Sequence, residues 1–415
     1  MRLVEDYTTC GMKLLFVLSL SIPLSIFCST ISKAQANLAA AKNYQFVNGQ
    51  WFDGVKFRRQ TFYSMNGVLT QNKPARIIDE TIDLQNGYAV PPFSDAHCHH
   101  FDTAHNVKKQ TEMYLRDGIF YAKSQTDIRS STLKIADKVN IPTSVDVSYT
   151  HGALTHTFGH GIETYEALEL GLFSAKALEE NKAKIAANRT LENDAYYIID
   201  MAEDLENKWR KIIDGKPDFL KIYLLHSEEF QERLKNIPNM KLGTIGLDPR
   251  LVPIITKKAH AAGFRVSAHV ETAADYRIAL DGGVDEMAHL PGYYFDLDEN
   301  EKYQLTEKDV RETSRRKVWV IPTPNLPQDI KDVAILKRVE TVARQNLTLL
   351  KNKKVSIAFG ADAYMQTPLE YVVYIASLGI FSNLEMFKIW CEDTPRTIFH
   401  RKIGKLKSGF TKLSF

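Results

Sequence analysis

Cysteine is scarce in this sequence, and no paired spacing such as CxxC occurs. The chain has 415 residues and only 4 cysteines. A disulfide framework and a zinc site built on thiolates both rely on regularly spaced cysteines, so the sequence predicts neither. The four cysteines are Cys10, Cys28, Cys98 and Cys391.

An excess of charge of one sign is also absent. Lys and Arg number 53 against 50 for Asp and Glu, which gives a formal net charge of +3. No basic block stands out, so the electrostatic footprint of a nucleic-acid-binding protein is missing. Hydrophobic residues make up 44% of the chain and charged residues 25%. That balance is typical of a folded globular protein.

A long apolar run occurs near the N-terminus, but it is too short to span a bilayer comfortably. It covers residues 14–27, follows Lys13, and is succeeded by the small-x-small sequence AQA at residues 34–36. This pattern predicts a cleavable signal peptide over residues 1–36, with Met12 as the better start. We therefore expect a periplasmic or secreted protein that has no stable membrane anchor after cleavage.

Beyond the signal peptide the sequence pattern changes twice. Residues 37–90 contain short aromatic and β-branched runs broken by Asn-Gly and Asp-Gly, which predicts a small β unit with hairpins. Residues 91–395 alternate predicted strands with helices, and eight such units predict an α/β fold of the (β/α)8 TIM barrel type. A doubly wound open sheet is the alternative. The predicted strands are residues 88–97, 118–124, 142–149, 218–224, 264–270, 284–290, 317–323 and 355–362.

Several helix boundaries in the alternating region carry local signals. The sequences Thr367–Glu370 and Ser382–Glu385 predict capping boxes at two helix starts. Gly263 and Gly282 lie where helices are predicted to end.

The residues that can bind a metal ion cluster at the predicted strand ends. A barrel collects its catalytic groups at the C-terminal ends of its strands. We therefore predict one site from six residues on five of the strands. They are His97, His99, Lys221, His269, His289 and Asp362.

Strand alternation indicates that these side chains point into the barrel. On the last strand, the face of Asp362 carries Gly360 and other small residues, whereas the opposite face is mostly apolar. Lys221 shares its face with Phe219 and Tyr223, so an ammonium group there would be poorly solvated. We expect Lys221 either to titrate as a neutral amine or to be chemically converted.

Four segments together resemble the strand-end motifs of the amidohydrolase superfamily, which are metal-dependent hydrolases on a (β/α)8 barrel. The similarity is to the branch that holds imidazolonepropionase-like enzymes and Xaa-Pro or Xaa-Arg dipeptidases, and it extends over residues 44–405. The segments are PPFSDAHCHH (91–100), DFLKIYL (218–224), SAHVETAADYRIALDGGVDEMAHLPG (267–292) and IAFGADAY (357–364).

The resemblance implies a centre with two divalent metal ions. His97, His99 and Asp362 would bind the buried ion. His269 and His289 would bind the second. Neutral imidazoles and carboxylates suit zinc, and manganese, iron or cobalt are compatible with the same ligands.

The resemblance also implies roles for Lys221 and Asp362. Lys221 would be carboxylated on its side-chain nitrogen and would bridge the two ions as an anionic carbamate. A metal-bound hydroxide would attack the scissile carbonyl, with Asp362 as the general acid and base.

Further residues near the strand ends are predicted to contact the substrate. His151 lies closest to the end of the third predicted strand, and Tyr223 and Tyr364 follow ligands on two others. His160 lies further along the loop of His151 and is assigned no role. Glu271 resembles the acid of mononuclear deaminases, but its spacing from the preceding histidine differs from the usual pattern.

The C-terminal segment departs from the superfamily pattern. Residues 396–415 resemble the start of a final β segment but supply none of the later strands that would pair with the N-terminal unit. We therefore expect a truncated complement and unpaired strand edges in the N-terminal unit. All the predicted ligands precede this segment.

Three functions follow as hypotheses. The first is an exported, metal-dependent hydrolase that cleaves C–N bonds in amides, dipeptides or cyclic amides. The second is a mononuclear deaminase or imidazolonepropionase-like hydrolase, favoured if Lys221 is unmodified. The third is an inactive barrel that acts as a binding protein. The predicted partner is a small amide or peptide, a homo-oligomer is left open, and the sequence does not identify the substrate because the loops decide specificity in this fold.

Overall fold

The structure is a computed structural model that describes residues 42–407, apart from residues 66, 238–240, 293–299, 325, 401 and 402. The predicted signal peptide lies outside the described residues, and so do Cys10 and Cys28. Within the described ranges, no helix combines the length and the apolar character that a membrane crossing requires.

The N-terminal region forms a five-stranded sheet. Strand β1 pairs antiparallel with β2 and parallel with β4 and β5, and β3 pairs with β2. Phe46, Trp51, Phe62 and Leu69 form its core, and Leu406 from the C-terminal segment packs against them. The strands are β1 Tyr44–Phe52, β2 Phe57–Met65, β3 Val68–Thr70, β4 Glu80–Asp83 and β5 Tyr88–Ala89.

Two of the dipeptides that predicted hairpins in this sheet behave differently from each other. Asp53 and Gly54 form the turn between β1 and β2, where Gly54 has a φ of 95°. Asn48 and Gly49 instead lie inside β1, at an irregularity in its pairing with β2, and Asn48 has a φ of 55°. The prediction of a turn at Asn48 is therefore wrong, because the positive φ is absorbed by a bulge within one strand.

The alternating region consists of parallel strands in sheets of seven and three. Each of the eight predicted strands overlaps an observed parallel strand at its place in the sequence. The order from β11 to β15 follows the chain without the reversal that marks a doubly wound sheet. The strands are β6 Phe93–Cys98, β7 Ile119–Ser124, β8 Asp146–Tyr149, β9 Ala153–Thr155, β10 Tyr196–Ile198, β11 Leu220–Tyr223, β12 Val266–His269, β13 Glu286–Met287, β14 Trp319–Val320 and β15 Ser356–Ile357.

Helices connect and cover these strands. The α-helices are α1 Val107–Arg116, α2 Arg129–Leu133, α3 Ile162–Glu169, α4 Ala175–Glu180, α5 Lys182–Ala187, α6 Ala202–Asp214, α7 Phe230–Lys235, α8 Val252–Ala261, α9 Ala273–Asp281, α10 Asn300–Tyr303, α11 Glu307–Arg316, α12 Val333–Asn352, α13 Leu369–Ser377, α14 Asn383–Phe387 and α15 Thr394–Ile398. Short 3₁₀ segments cover Ser227–Glu229, Pro249–Leu251 and Pro327–Asp329, and a π-helical turn covers Lys388–Asp393.

The predicted helix boundaries are confirmed in three of four places. Ser382 and Glu385 form the predicted capping box, and Gly282 ends α9 while Gly263 follows the end of α8. Thr367 does not cap α13, so this prediction is wrong. Its hydroxyl donates instead to Asp117 at 2.7 Å, a tertiary partner that a local sequence pattern does not reveal.

Two features of the strands decide where the site forms. The third predicted strand corresponds to β8, and β9 follows beyond the predicted range after a turn at His151 and Gly152, whose φ values are 53° and 98°. At the other end of the sheet, the chain after β15 returns to β6. There Ala96 N donates to Phe359 O at 2.8 Å. The first and last parallel segments of the alternating region therefore lie side by side.

Candidate metal centre

Three of the predicted ligands converge where β6 meets the segment after β15. The Nε2 atoms of His97 and His99 lie 3.0 Å apart. Asp362 Oδ1 lies 3.2 Å from the first and 2.9 Å from the second. Their ligand atoms form one group within 4.8 Å of one another, a spacing that can hold a metal ion.

The hydrogen-bond partners of Nδ1 in both histidines bear on whether Nε2 can bind a metal ion. His97 Nδ1 lies 2.8 Å from Ala288 O, and His99 Nδ1 lies 3.3 Å from Thr126 O. A carbonyl oxygen only accepts, so each Nδ1 is assigned the hydrogen, and in the neutral imidazole this leaves the lone pair on Nε2. In that form two lone pairs and a carboxylate oxygen face one another, an arrangement that a cation bound between them would stabilise.

Burial keeps the imidazole of His97 in the form that binds metals. Its side chain is 1% exposed, and burial lowers the pKa of His97 to about 4. The ring is thus neutral at pH 7 without a metal, and its lone pair is available. The donor set of two imidazoles and a carboxylate fits zinc or a similar divalent ion.

The backbone holds these ligands in register. Asp362 N donates to His97 O at 2.9 Å. Gly360 allows the approach, since a Cβ there would lie 2.6 Å from His97 Cβ. The prediction that Gly360 faces a crowded interior is therefore confirmed, because no larger residue fits against His97 without displacing it.

A buried carboxylate clamps the two segments together. Asp95 Oδ1 accepts from His97 N at 2.9 Å and from Ala361 N at 3.3 Å. Its Oδ2 accepts from the Tyr114 hydroxyl at 2.7 Å. One side chain thus fixes the backbone beside ligands that are far apart in sequence.

The other two predicted histidines extend this group around the strand ends. The ring centroids of His97 and His289 lie 4.7 Å apart, and those of His289 and His269 lie 4.4 Å apart. His289 Nδ1 is 2.5 Å from Thr323 Oγ1 and 3.8 Å from Asp362 Oδ2. The structure therefore brings all four predicted histidine ligands and Asp362 into one continuous cluster.

Lys221 lies one layer deeper in the same interior. In the pairing of β11 with β12, Tyr223 is opposite His269 and Lys221 is opposite Ser267. Lys221 is 1% exposed, and burial lowers its pKa to about 7. The predicted poor solvation is confirmed, and burial favours the neutral amine form of Lys221.

The residues predicted to contact substrate separate into two groups. Tyr364 stacks on His99 with centroids 5.9 Å apart and is 51% exposed. The Tyr223 ring lies 5.5 Å from that of His269. Both tyrosines therefore border the cluster.

His151 is placed elsewhere, which corrects its assignment to the site. Its Nδ1 lies 3.0 Å from Asp127 Oδ1 and 3.3 Å from Thr132 Oγ1, and its ring stacks on Tyr149. Nearness to a strand end does not fix the direction of this side chain, because the backbone at His151 is left-handed.

His160 takes the position that had been expected for His151. Its ring lies 4.8 Å from His269 and 4.9 Å from Tyr223. Burial opposes protonation of His160, but Glu163, with Oε1 3.0 Å from His160 Nδ1, raises its pKa. The sequence contains one indication of this position. Two glycines, Gly159 and Gly161, flank His160 and let the loop fold back.

Glu271, which sequence spacing had discounted, also joins the cluster. Its Oε1 lies 3.5 Å from His269 Nε2, and its Oε2 lies 3.1 Å from His226 Nε2. Burial opposes ionisation, but these two histidines hold the pKa of Glu271 well below its usual range. A left-handed residue, His226 with φ 48°, turns the chain so that its ring reaches Glu271.

Comparison with known proteins shows which solved structures share this architecture. The sequence matches no family model and no curated protein. Ochratoxinase from A. niger superposes with a TM-score of 0.64 at 16% identity, over 89% of this chain and 88% of that one. An amidohydrolase superposes with a TM-score of 0.64 at 14% identity, over 89% of this chain and 90% of that one.

A Xaa-Pro dipeptidase, whose structure holds methionine in the active site, superposes with a TM-score of 0.61 at 14% identity. The match covers 89% of this chain and 92% of the dipeptidase. The chain has the amidohydrolase fold. The resemblance drawn from the four sequence motifs is thus confirmed at the level of the fold, and these neighbours are hydrolases of C–N bonds.

Proposed function

We propose that this chain is a metal-dependent amidohydrolase that cleaves C–N bonds in small amides, dipeptides or cyclic amides. The observation that carries the proposal is the convergence of two imidazole lone pairs and the Asp362 carboxylate at one point. We further propose that the eight parallel units form a (β/α)8 barrel. The hydrogen bond from Ala96 N to Phe359 O supports closure between its first and last strands.

The proposed metal ligands fall into two sets. His97, His99 and Asp362 hold the first divalent ion, with zinc the best match to these donors. His269 and His289 hold the second. When bound, these ions acidify a water molecule and polarise the scissile carbonyl.

Lys221, carboxylated on Nζ, supplies the anion between the two sets. Its positive charge in the unmodified state lowers the pKa of His269 and His289 as well as that of His97. This electrostatic coupling supports a position in reach of both sets. Conversion to a carbamate replaces a buried positive charge with a negative one, which favours cations on both sides.

Asp362 moves the proton in the proposed reaction. Its Oδ1 faces His97 and His99, and its Oδ2 lies on the side of His289. The carboxylate takes a proton from the attacking water and returns it to the leaving nitrogen. Such a transfer is needed because an amide nitrogen leaves as a neutral amine only after protonation.

Three residues around the cluster are proposed to bind and orient the substrate. His160, whose pKa Glu163 raises, donates a hydrogen bond to a carbonyl or carboxylate group. Tyr223 holds its hydroxyl 2.6 Å from Thr126 Oγ1 and borders His269. Tyr364 offers an exposed ring beside His99.

One observation favours the mononuclear alternative. The compact group of metal-capable atoms contains His97, His99 and Asp362 but neither His269 nor His289. A single ion in that group, with Glu271 as an additional acid, would suit a deaminase or an imidazolonepropionase-like hydrolase.

Metal stoichiometry tests these proposals. Protein expressed with bicarbonate should hold two divalent ions per chain by plasma mass spectrometry, and Lys221→Ala should hold fewer. His151→Asn is the matched control and should load as the wild type does, because its contacts lie outside the cluster. One ion in both wild type and Lys221→Ala would select the mononuclear alternative. The absence of any bound ion would instead support the hypothesis of an inactive barrel that acts as a binding protein.

Metal-loaded protein should then be screened against dipeptides and N-acyl amino acids. Release of a free amine is the expected result, and it should disappear in Asp362→Asn. A loaded enzyme that releases ammonia from amidines but no amine from amides would contradict the amidohydrolase proposal.

We also propose that the protein is exported, on the basis of the apolar run at residues 14–27 and the AQA sequence at residues 34–36. Fractionation and N-terminal sequencing of the mature chain test this. The expected first residue is Asn37, and a mature cytosolic protein that retains residues 14–27 would contradict it.

A further inference from the structure

Gln125 lies directly after β7, in contact with Lys221, and is completely buried. Its Nε2 donates to Ala96 O at 3.0 Å and to Glu286 Oε1 at 3.0 Å. Its Oε1 accepts from Ser267 Oγ at 2.9 Å and from Lys221 Nζ at 3.4 Å. All four sites of this amide are therefore occupied.

The partners of Gln125 allow one orientation of its amide. Ala96 O and the Glu286 carboxylate are acceptors, so they require the NH₂ group. Glu286 is itself held by Lys123, whose Nζ lies 2.8 and 2.7 Å from its two oxygens. The carbonyl oxygen of Gln125 must consequently face Lys221.

We propose that Gln125 is a positioning residue that orients the carboxylated Lys221, an inference that rests on the bridged centre proposed above. It accepts the hydrogen of the carbamate nitrogen and directs the two carbamate oxygens toward the metal ligands.

The chemistry of carboxylation explains why the nitrogen of Lys221 needs a single hydrogen-bond acceptor. The lone pair of the neutral Lys221 amine attacks the carbon of CO₂ and forms a C–N bond. One C–O π pair moves onto oxygen, and the nitrogen releases one proton to water. The product is a carbamate anion whose nitrogen keeps a single hydrogen.

An unmodified ammonium fits this surrounding less well. It carries three hydrogens, whereas Gln125 is its one hydrogen-bond acceptor among the described residues. Buried polar hydrogens without partners are rare and costly. A carbamate needs one acceptor at nitrogen, and its oxygens are turned away because the Gln125 oxygen repels them.

The test follows carboxylation itself rather than activity. Metal-free protein is titrated with ¹³C-labelled bicarbonate, and the carbamate carbon is observed by ¹³C NMR. Gln125→Met keeps the length of the side chain and removes its hydrogen bonds. We expect it to need about tenfold more bicarbonate for half-carboxylation, which corresponds to one lost hydrogen bond. High bicarbonate should restore the signal, which a purely structural defect would not allow.

Gln110→Met is the matched control. Gln110 is also fully buried, but its amide donates to Gln366 O at 3.3 Å, away from Lys221. This variant should titrate as the wild type does. If Gln125→Met does not fold, Gln125→Asn withdraws the same amide by one methylene and should show the same direction of shift.

The outcomes separate this inference from the proposed function. A wild-type carbamate that forms with unchanged bicarbonate dependence in the Gln125 variant would overturn the positioning role and leave the bridged centre standing. A wild type that shows no carbamate at any bicarbonate concentration, although it binds metal, would overturn the bridge and this inference together.

Discussion

Replacing Lys123 by methionine should cost about 3 kcal/mol of unfolding free energy, although Lys123 touches no predicted ligand. Lys123 and Glu286 are 1% and 2% exposed, and Lys123 Nζ lies 2.8 and 2.7 Å from the two carboxylate oxygens. The ammonium also donates to Thr397 O at 3.3 Å. Lys123→Met would keep the volume and leave the Glu286 carboxylate buried without its cation.

The magnitude follows from what remains around Glu286. Removal of one partner from a buried ion pair costs about 3–5 kcal/mol, because the other charge stays desolvated. Glu286 would keep its hydrogen bond from Gln125 Nε2 at 3.0 Å, and the nearby positive charge of Arg265 also favours its ionised form. These two contributions place the expected cost at the lower end, about 3 kcal/mol.

Urea unfolding followed by circular dichroism measures this cost, and a double-mutant cycle isolates the pair. Glu286→Leu in the Lys123→Met background removes both charges, and burying apolar groups in place of an ion pair is often nearly neutral. The double variant should therefore be at least as stable as Lys123→Met alone. The coupling energy between the two positions should be about 2 kcal/mol or more.

Arg311→Met serves as the control, because the pair of Arg311 with Glu307 is 62% and 58% exposed. Exposed pairs contribute about 0–1 kcal/mol. If Lys123→Met cost no more than this control, the Glu286 carboxylate would not be desolvated, and water would have to reach it in the folded protein.

Other perturbations have equally direct outcomes. Burial and the neighbouring Asp127 raise the pKa of Asp102 to about 7, above the usual 3.9 or so of an unfolded chain. Stability contributed by protonated Asp102 is therefore lost as pH rises from about 4 to 7. Asp102→Asn should gain about 2–3 kcal/mol on the wild type between pH 5 and pH 8 in urea unfolding, and an equal difference at both pH values would contradict the shift. Gly360→Ala should bind less metal with every ligand intact, because its Cβ would lie 2.7 Å from His97 N; wild-type metal content by plasma mass spectrometry would show that the strands are not so close. His160→Asn should keep its metal and lose at least tenfold in kcat/KM on an amide substrate once one is found, as about one charge-assisted hydrogen bond implies; unchanged kinetics would remove His160 from the site.

The positions of the strands and of the ligands were predictable because both follow local rules. Alternation assigned Ile357 and Phe359 to the face that meets the helices, and both lie in the main core. Ala358, on the other face, packs with Ala96 and Ile321 in a separate small cluster. The side-chain period of two in an extended chain is enough to make this division.

Closeness to a strand end was not enough to place a side chain where the backbone leaves the extended region. His151 has a φ of 53°, which turned its ring toward Asp127 instead of the cluster. His160, nine residues later, reached the cluster because its loop folds back, with His160 N donating to Ile245 O at 3.1 Å. A contact between such distant segments leaves no periodic signal in the sequence.

The sequence by itself determined which residues could bind metal and which strand ends would carry them, since strand period and residue chemistry are local properties. The tertiary structure alone decided how these groups face one another. Carbonyl oxygens of Ala288 and Thr126 fix which imidazole nitrogen is free, and a buried amide turns its oxygen to Lys221. These choices depend on hydrogen-bond partners from other strands, which come within reach only after the chain has folded.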